Sequence, residues 1–244
     1  MMKILKLRMV WERLAREDPF WAVLTVKEKR GNRWSPSEFF ETGKVDVTMC
    51  LEQLSALNFN IEHRNALDFG CGVGRLTQAL AGSFTSVTGV DVSMNMIQLA
   101  RQYNSHGSKI IYQHNPKGDL DIFPNQTFDF LISLITLQHL PRELAIAYLK
   151  EFVRICRPGG CVCVQIVTEI SSSSKKITYY PPTLLKRLLR WIRKKTGIGA
   201  SMEMNALPLK VVESVISDAG GEIIFAREHC MSEEIQGKIF FIRC

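Results

Sequence analysis

The stretch that most constrains this chain runs Ala66-Leu67-Asp68-Phe69-Gly70-Cys71-Gly72-Val73-Gly74-Arg75. An apolar run carries one acid, three glycines follow at every second position, and a helical pattern then begins. Glycine at that density lets the main chain turn tightly and lets a ligand lie against bare backbone. The amides of the helix that follows are expected to face the ligand. Twenty-three residues after Asp68, the segment Val87-Thr88-Gly89-Val90-Asp91 repeats the device of a strand ending in an acid. Together the two features describe a nucleoside-binding edge.

From Ala66 onward strand and helix patterns alternate, which argues for a mainly parallel sheet with helices on both faces. Residues 65–69, 87–91, 109–113, 128–135 and 161–168 read as five strands. The run from Phe128 to Ile135 is almost wholly apolar, as a central strand buried on both faces should be. Helical stripes lie between them. Leu76, Ala79 and Leu80 precede a stop at Gly82. Met96, Ile97, Ala100 and Tyr103 follow Ser93, a residue suited to an N-cap. Leu144, Tyr148, Leu149 and Phe152 follow Pro141 and run to a break at Pro158-Gly159-Gly160. Beyond the fifth strand, Pro208 opens a helix that Gly220-Gly221 ends. Two last strands, about 222–229 and 237–243, are close enough in sequence to pair antiparallel. The first 64 residues read as a helical segment, with Ser35-Pro36-Ser37-Glu38 as a capping box. The expected division is therefore a helical cap over 1–64 and a main domain over 65–244, with an insertion at 171–206.

Charge is concentrated in that insertion. The net charge is +7. No acid lies between Glu169 and Glu203, while Lys175, Lys176, Lys186, Arg187, Arg190, Arg193, Lys194 and Lys195 do. Outside it, bases and acids nearly cancel. A nucleic-acid binder would more often spread bases across a face of the fold. The seven cysteines are odd in number and form no C-x-x-C pair, which fits free thiols in a reducing compartment and no metal site. No apolar run matches a membrane span, and bases interrupt the first residues, so a cytoplasmic address is expected.

Dinucleotide sites place glycines as G-x-G-x-x-G. Here that would need glycine at Arg75, and the third glycine falls at Gly74 instead. The D-x-G-x-G-x-G pattern resembles motif I of the class I S-adenosylmethionine-dependent methyltransferases, and the resemblance runs from about Ala66 to Val167. Asp91 matches the acid that holds both ribose hydroxyls in that family. Val92 and Met96 match positions that pack on adenine and ribose. Asn115, with Asp119 and Leu120, lies where the family contacts the adenine edge, although Pro116 departs from the usual form of this loop. Phe128-Asp129-Phe130, Leu137-Gln138-His139-Leu140 and Arg157-Pro158-Gly159-Gly160 match later landmarks in order. The resemblance implies a three-layer, Rossmann-like α/β fold with a seven-stranded sheet of order 3-2-1-4-5-7-6, strand seven antiparallel. It implies S-adenosylmethionine as cofactor, S-adenosylhomocysteine as its product, no metal, and a cofactor site of Asp68, Gly70, Gly72, Gly74, Arg75, Asp91, Val92, Met96, Asn115, Asp119, Leu120 and Ser133.

The implied reaction is an in-line methyl transfer to a small-molecule acceptor, with catalysis chiefly by positioning. His139 is the weak candidate for a base. Gln138 is a candidate to face the acceptor. Gly43 is a candidate to lie over the methionine end of the donor, with Trp34 and Phe39 either lining the pocket or packing helices. Arg75 either reaches the donor carboxylate or caps locally. Nucleic acid is disfavoured as acceptor, because Ser133-Leu134-Ile135-Thr136 stands where an [N/D]-P-P-[Y/F] segment would hold a flipped base. The basic helix expected over 184–195 has three readings: a lid over an acidic acceptor, a peripheral contact with an anionic membrane, or a solvated face. Competing assignments are a dinucleotide-dependent oxidoreductase and a non-catalytic S-adenosylmethionine-binding protein.

Overall fold

The structure is a computed structural model that describes residues 2–171, 202 and 204–244. Most of the insertion, including the expected helix over 184–195, lies outside the described residues.

The amino-terminal segment is helical, as its pattern predicts: α1 (Met2–Glu17), α2 (Pro19–Val23) and α3 (Pro36–Ala56). Ser35 and Glu38 close the capping box, each side chain bonding to the other residue's backbone N–H. Then follow β1 (Asn65–Phe69), α4 (Arg75–Leu80), β2 (Ser86–Asp91), α5 (Met94–Tyr103), β3 (Ile110–His114), β4 (Phe128–Ser133), α6 (Arg142–Ile155), β5 (Cys156–Ile170), α7 (Leu209–Asp218), β6 (Glu222–Ser232) and β7 (Ile235–Arg243). Ser93 caps α5, its hydroxyl accepting the Met96 amide at 3.2 Å.

The seven strands form one sheet of order β3-β2-β1-β4-β5-β7-β6. β1 to β5 are parallel, and β7 runs antiparallel to both β5 and β6. The direction of the chain across the sheet reverses between β1 and β4, which opens a crevice at their carboxyl ends. Side-chain alternation divides the core into two layers. Leu67, Phe69, Leu131, Val162, Val164 and Phe240 face α6 and α7 and meet Tyr148, Phe152, Val212 and Ile216. Ala66, Phe130, Ile132, Cys163 and Phe241 face the other way and meet Cys50, Leu54, Leu76, Leu80 and Ile97. A third cluster binds α1, α2 and α3 to α5 through Leu14, Phe20, Trp21, Phe39 and Met96.

Two of the boundaries that differ from the sequence expectation do so for a clear local reason. β4 stops at Ser133, not Ile135, because Ile135 turns to a φ of +58° and its amide bonds the buried Gln165 side chain at 3.1 Å. β5 begins at Cys156, not Cys161, because Cys156 already pairs with Phe128. Pro158-Gly159-Gly160 is thus an irregularity within a strand and not its start. Arg157 stands over it and bonds Asp129 at 2.8 Å.

Candidate functional site

The crevice at the reversal point is lined by the β1–α4 turn, the end of β2, the β4 exit and, from above, α1. Its empty space is about 880 Å³, the open solvent at its mouth included. Of the residues expected at a cofactor site, Asp68, Gly70, Gly72, Arg75, Asp91, Val92, Met96 and Asn115 line it together.

The turn takes its shape from glycine. Gly70 and Gly72 have φ of +74° and +53°, and a Cβ on either would fall within 2.3 Å of Thr136 Cγ2 or 2.6 Å of Val23 Cγ2. Its amides, however, are turned inward. Gly70 and Cys71 donate to the Val90 carbonyl at 2.8 and 3.0 Å, and Gly72 donates to Asp91 Oδ2 at 2.9 Å. The turn therefore presents bare main chain without those three N–H donors.

Asp91 is fixed at both oxygens, since Oδ1 accepts the Ser93 amide at 2.8 Å. One amide on each oxygen orients the carboxylate and leaves the remaining lone pairs available. Burial raises its pKa to about 6, and the two amide bonds oppose that rise. Asp68 is buried at the end of β1 and accepts the Thr77 hydroxyl at 2.6 Å. Burial raises its pKa to about 6 as well, with the Thr77 bond and the Arg75 charge opposing. Two carboxylates held in a desolvated crevice make a site that favours a cation.

Arg75 is buried at the start of α4, with Nη1 bonded to Asp46 Oδ2 at 2.5 Å and to Thr42 Oγ1 at 3.2 Å. Its Nε is buried with no hydrogen-bond partner. An orphaned donor on a charged side chain that lines a crevice calls for an acceptor from a ligand.

Gly74, Asp119, Leu120 and Ser133, also expected at the site, are not on the lining. Gly74 begins α4 against Tyr112. Asn115 lines the crevice and ties its loop by donating to the Asp119 carbonyl at 2.6 Å. Leu120 is buried in the core, its amide bonded to Glu151 at 3.2 Å. Ser133 bonds the Phe69 carbonyl at 3.1 Å, bracing β1 against β4. His139 is off the lining and meets Trp11 edge to face at 5.3 Å. Gln138 is buried in a separate small cavity beside Asn205 and Leu207. Gly43 lies against the Arg75 backbone, where a Cβ would come within 2.2 Å of the carbonyl oxygen. Trp34 and Phe39 pack on each other at 5.8 Å within the helical cluster. They are packing residues.

Sequence reasoning missed the roof. Ile4, Leu7 and Trp11 of α1 line the crevice, with Val23, Thr136, Leu140 and Tyr148. Glu12 holds the roof in place, its carboxylate accepting the Met94 and Asn95 amides at 2.7 and 3.2 Å. It thereby caps the amino terminus of α5 from 82 residues away. No local pattern announces a cap supplied by another helix. Among the described residues no group of His, Cys, Asp and Glu is arranged to hold a metal ion.

The strand order and the crevice at its reversal define the class I S-adenosylmethionine-dependent methyltransferase fold. Residues 66–160 match the family described as "Methyltransferase domain". Among curated proteins the chain is similar to "Ubiquinone biosynthesis O-methyltransferase" of Bordetella avium, with 27% identity over 130 residues, 53% of each chain. It is also similar to "Demethylmenaquinone methyltransferase" of Bacillus licheniformis, with 38% identity over 104 residues, 41% of this chain and 44% of the relative. The chain thus spans about half the length of these relatives. Among solved structures, magnesium protoporphyrin IX methyltransferase from Synechocystis PCC 6803 with bound SAH superposes with a TM-score of 0.56 at 20% identity, over 84% of this chain and 85% of that one.

Proposed function

We propose that the protein transfers a methyl group from S-adenosylmethionine to a small-molecule acceptor. The observation that carries this reading is the pairing of the inward-turned glycine loop with two acids, Asp68 buried and Asp91 half-buried. A pyrophosphate needs free N–H donors, and the Gly70, Cys71 and Gly72 amides are already committed. A ligand with an ammonium and a sulfonium needs acids and bare main chain, which the crevice has. The buried acid at Asp68 beside the turn also repels a pyrophosphate, which counts against the dinucleotide alternative.

In this reading Asp91 accepts the ribose diol through its remaining lone pairs. Val92 and Met96 pack on the adenine, and Asn115 meets its edge. Asp68 faces the ammonium across the turn, and Arg75 Nε takes the donor carboxylate. Gly74, Asp119, Leu120 and Ser133 hold these groups in place. When bound, S-adenosylmethionine supplies a methyl group already activated by its sulfonium charge. The protein's part is to align the acceptor and exclude water. Ile4, Leu7, Trp11 and Leu140 give the crevice an apolar roof suited to that exclusion. The roof belongs to the segment 1–64, which we read as the cap on a methyltransferase domain over 65–244.

The relatives' names point to quinones and a porphyrin, and the apolar roof suits an acceptor of that kind. No described helix is long and apolar enough to cross a membrane. Calorimetric titration with S-adenosylhomocysteine and with NADH tests the donor assignment: the first is expected to bind, and binding of NADH instead would overturn it. Labelled S-adenosylmethionine with cell extract tests turnover, and no labelled product from any extract would leave a binding protein.

A further inference from the structure

We propose that the outer face of α1 docks this protein on an anionic lipid surface. The inner face of the helix, Ile4, Leu7 and Trp11, is already spent on the crevice. On the opposite side, at i and i+4, stand Leu5 and Met9, 43% and 70% exposed. Met9 is the most exposed large hydrophobic side chain among the described residues. Around them the helix is basic. Its first ten residues hold Lys3, Lys6 and Arg8 in sequence and no acid, and Lys6 and Arg16 are exposed on the Leu5–Met9 side. The two acids of the helix are engaged elsewhere, Glu12 on the α5 amides and Glu17 on Arg13 at 2.7 Å. Exposed apolar side chains among bases are the pattern of a helix lying in a lipid interface.

Charge decides between occupants. A second copy of the helix would bring bases against bases. Residues 172–201 carry eight bases and no acid in sequence, so they offer α1 no charge complement, whereas an anionic surface does. A helix docked in this way is at the same time one wall of the crevice. The docking stands on the helix alone. Its purpose, delivery of a lipid-soluble acceptor, rests on the methyl-transfer reading.

The full chain is sedimented with vesicles of phosphatidylcholine alone and of phosphatidylcholine mixed with phosphatidylglycerol, beside the double variant Leu5→Glu/Met9→Glu. Neither side chain lines the crevice, so calorimetry with S-adenosylhomocysteine reports separately on fold and donor site. The expected result is pelleting with the anionic vesicles, a partition coefficient about tenfold lower for the variant, and unchanged S-adenosylhomocysteine affinity. Equal pelleting of both proteins, no pelleting of either, or pelleting without vesicles through self-association overturns the proposal. Vesicle binding lost in the variant while neither protein binds S-adenosylhomocysteine would sink the donor assignment and leave the docking standing.

Discussion

Asp91 Oδ2 accepts the Gly72 amide at 2.9 Å, so the acid proposed to grip a sugar diol also shapes the glycine turn beneath it. One substitution therefore damages two parts of the site. Asp91→Ala is expected to weaken S-adenosylhomocysteine binding about 100-fold, given about 1.5–3 kcal/mol for a hydrogen bond to a charged group. Asp91→Asn keeps an acceptor and is expected to fall between. Calorimetry decides, and an unchanged affinity for the alanine variant would remove Asp91 from the site.

Asp68 gives a prediction about stability. Its folded-state pKa of about 6 lies above the ordinary 3.8, so folding favours the protonated form. That contribution is complete below the unfolded value and is lost as pH rises through 6. Asp68→Asn removes the charge and keeps an acceptor for Thr77. The variant without ligand is expected to melt higher than the parent at pH 7.5, with the gap narrowing at pH 5, while its S-adenosylhomocysteine binding is lost. A lower melting temperature at pH 7.5 would show that the charge is already compensated.

The same titration predicts the pH dependence of binding. In the proposed reading the ammonium of the ligand needs the ionised acids. Affinity for S-adenosylhomocysteine is expected to be flat above about pH 7 and to fall about tenfold per pH unit below 6 for each proton taken up. Titration calorimetry in two buffers of different ionisation enthalpy measures that uptake directly.

Gly43 packs against the Arg75 backbone, a contact that only the tertiary structure reveals. Gly43→Ala would improve helix propensity by about 1 kcal/mol in an exposed setting. Here the added methyl meets the Arg75 carbonyl oxygen, and such overpacking costs about 1–3 kcal/mol. The variant is expected to melt lower and to bind S-adenosylhomocysteine more weakly, because Arg75 shifts. Circular dichroism melting checks the first effect and calorimetry the second.

His139 packs on Trp11 away from the crevice lining. His139→Phe keeps an aromatic edge there and is expected to hold the rate of transfer from labelled S-adenosylmethionine within about threefold. Loss of a general base would cost about 10²–10⁴-fold. A loss on that scale would make His139 catalytic.

Much of this fold was legible in the sequence because its signals are local. The apolar run of Phe128–Ser133, the capping box at Ser35, the Ser93 cap and the glycine spacing after Asp68 each depend on a few neighbouring residues. Local physics therefore specified the strands, the helices and the acid-bearing edge at Asp68 and Asp91. Tertiary structure decided what depends on distant partners. It turned the Gly70 and Cys71 amides onto Val90, left Arg75 Nε without a partner while Nη1 bonds Asp46 and Thr42, and set Glu12 on the α5 amides as a remote cap. It also sent Gln138 and His139 away from the crevice and brought Ile4, Leu7 and Trp11 over it. Contacts between residues far apart in the chain leave no periodicity to read, so only the folded packing could assign them.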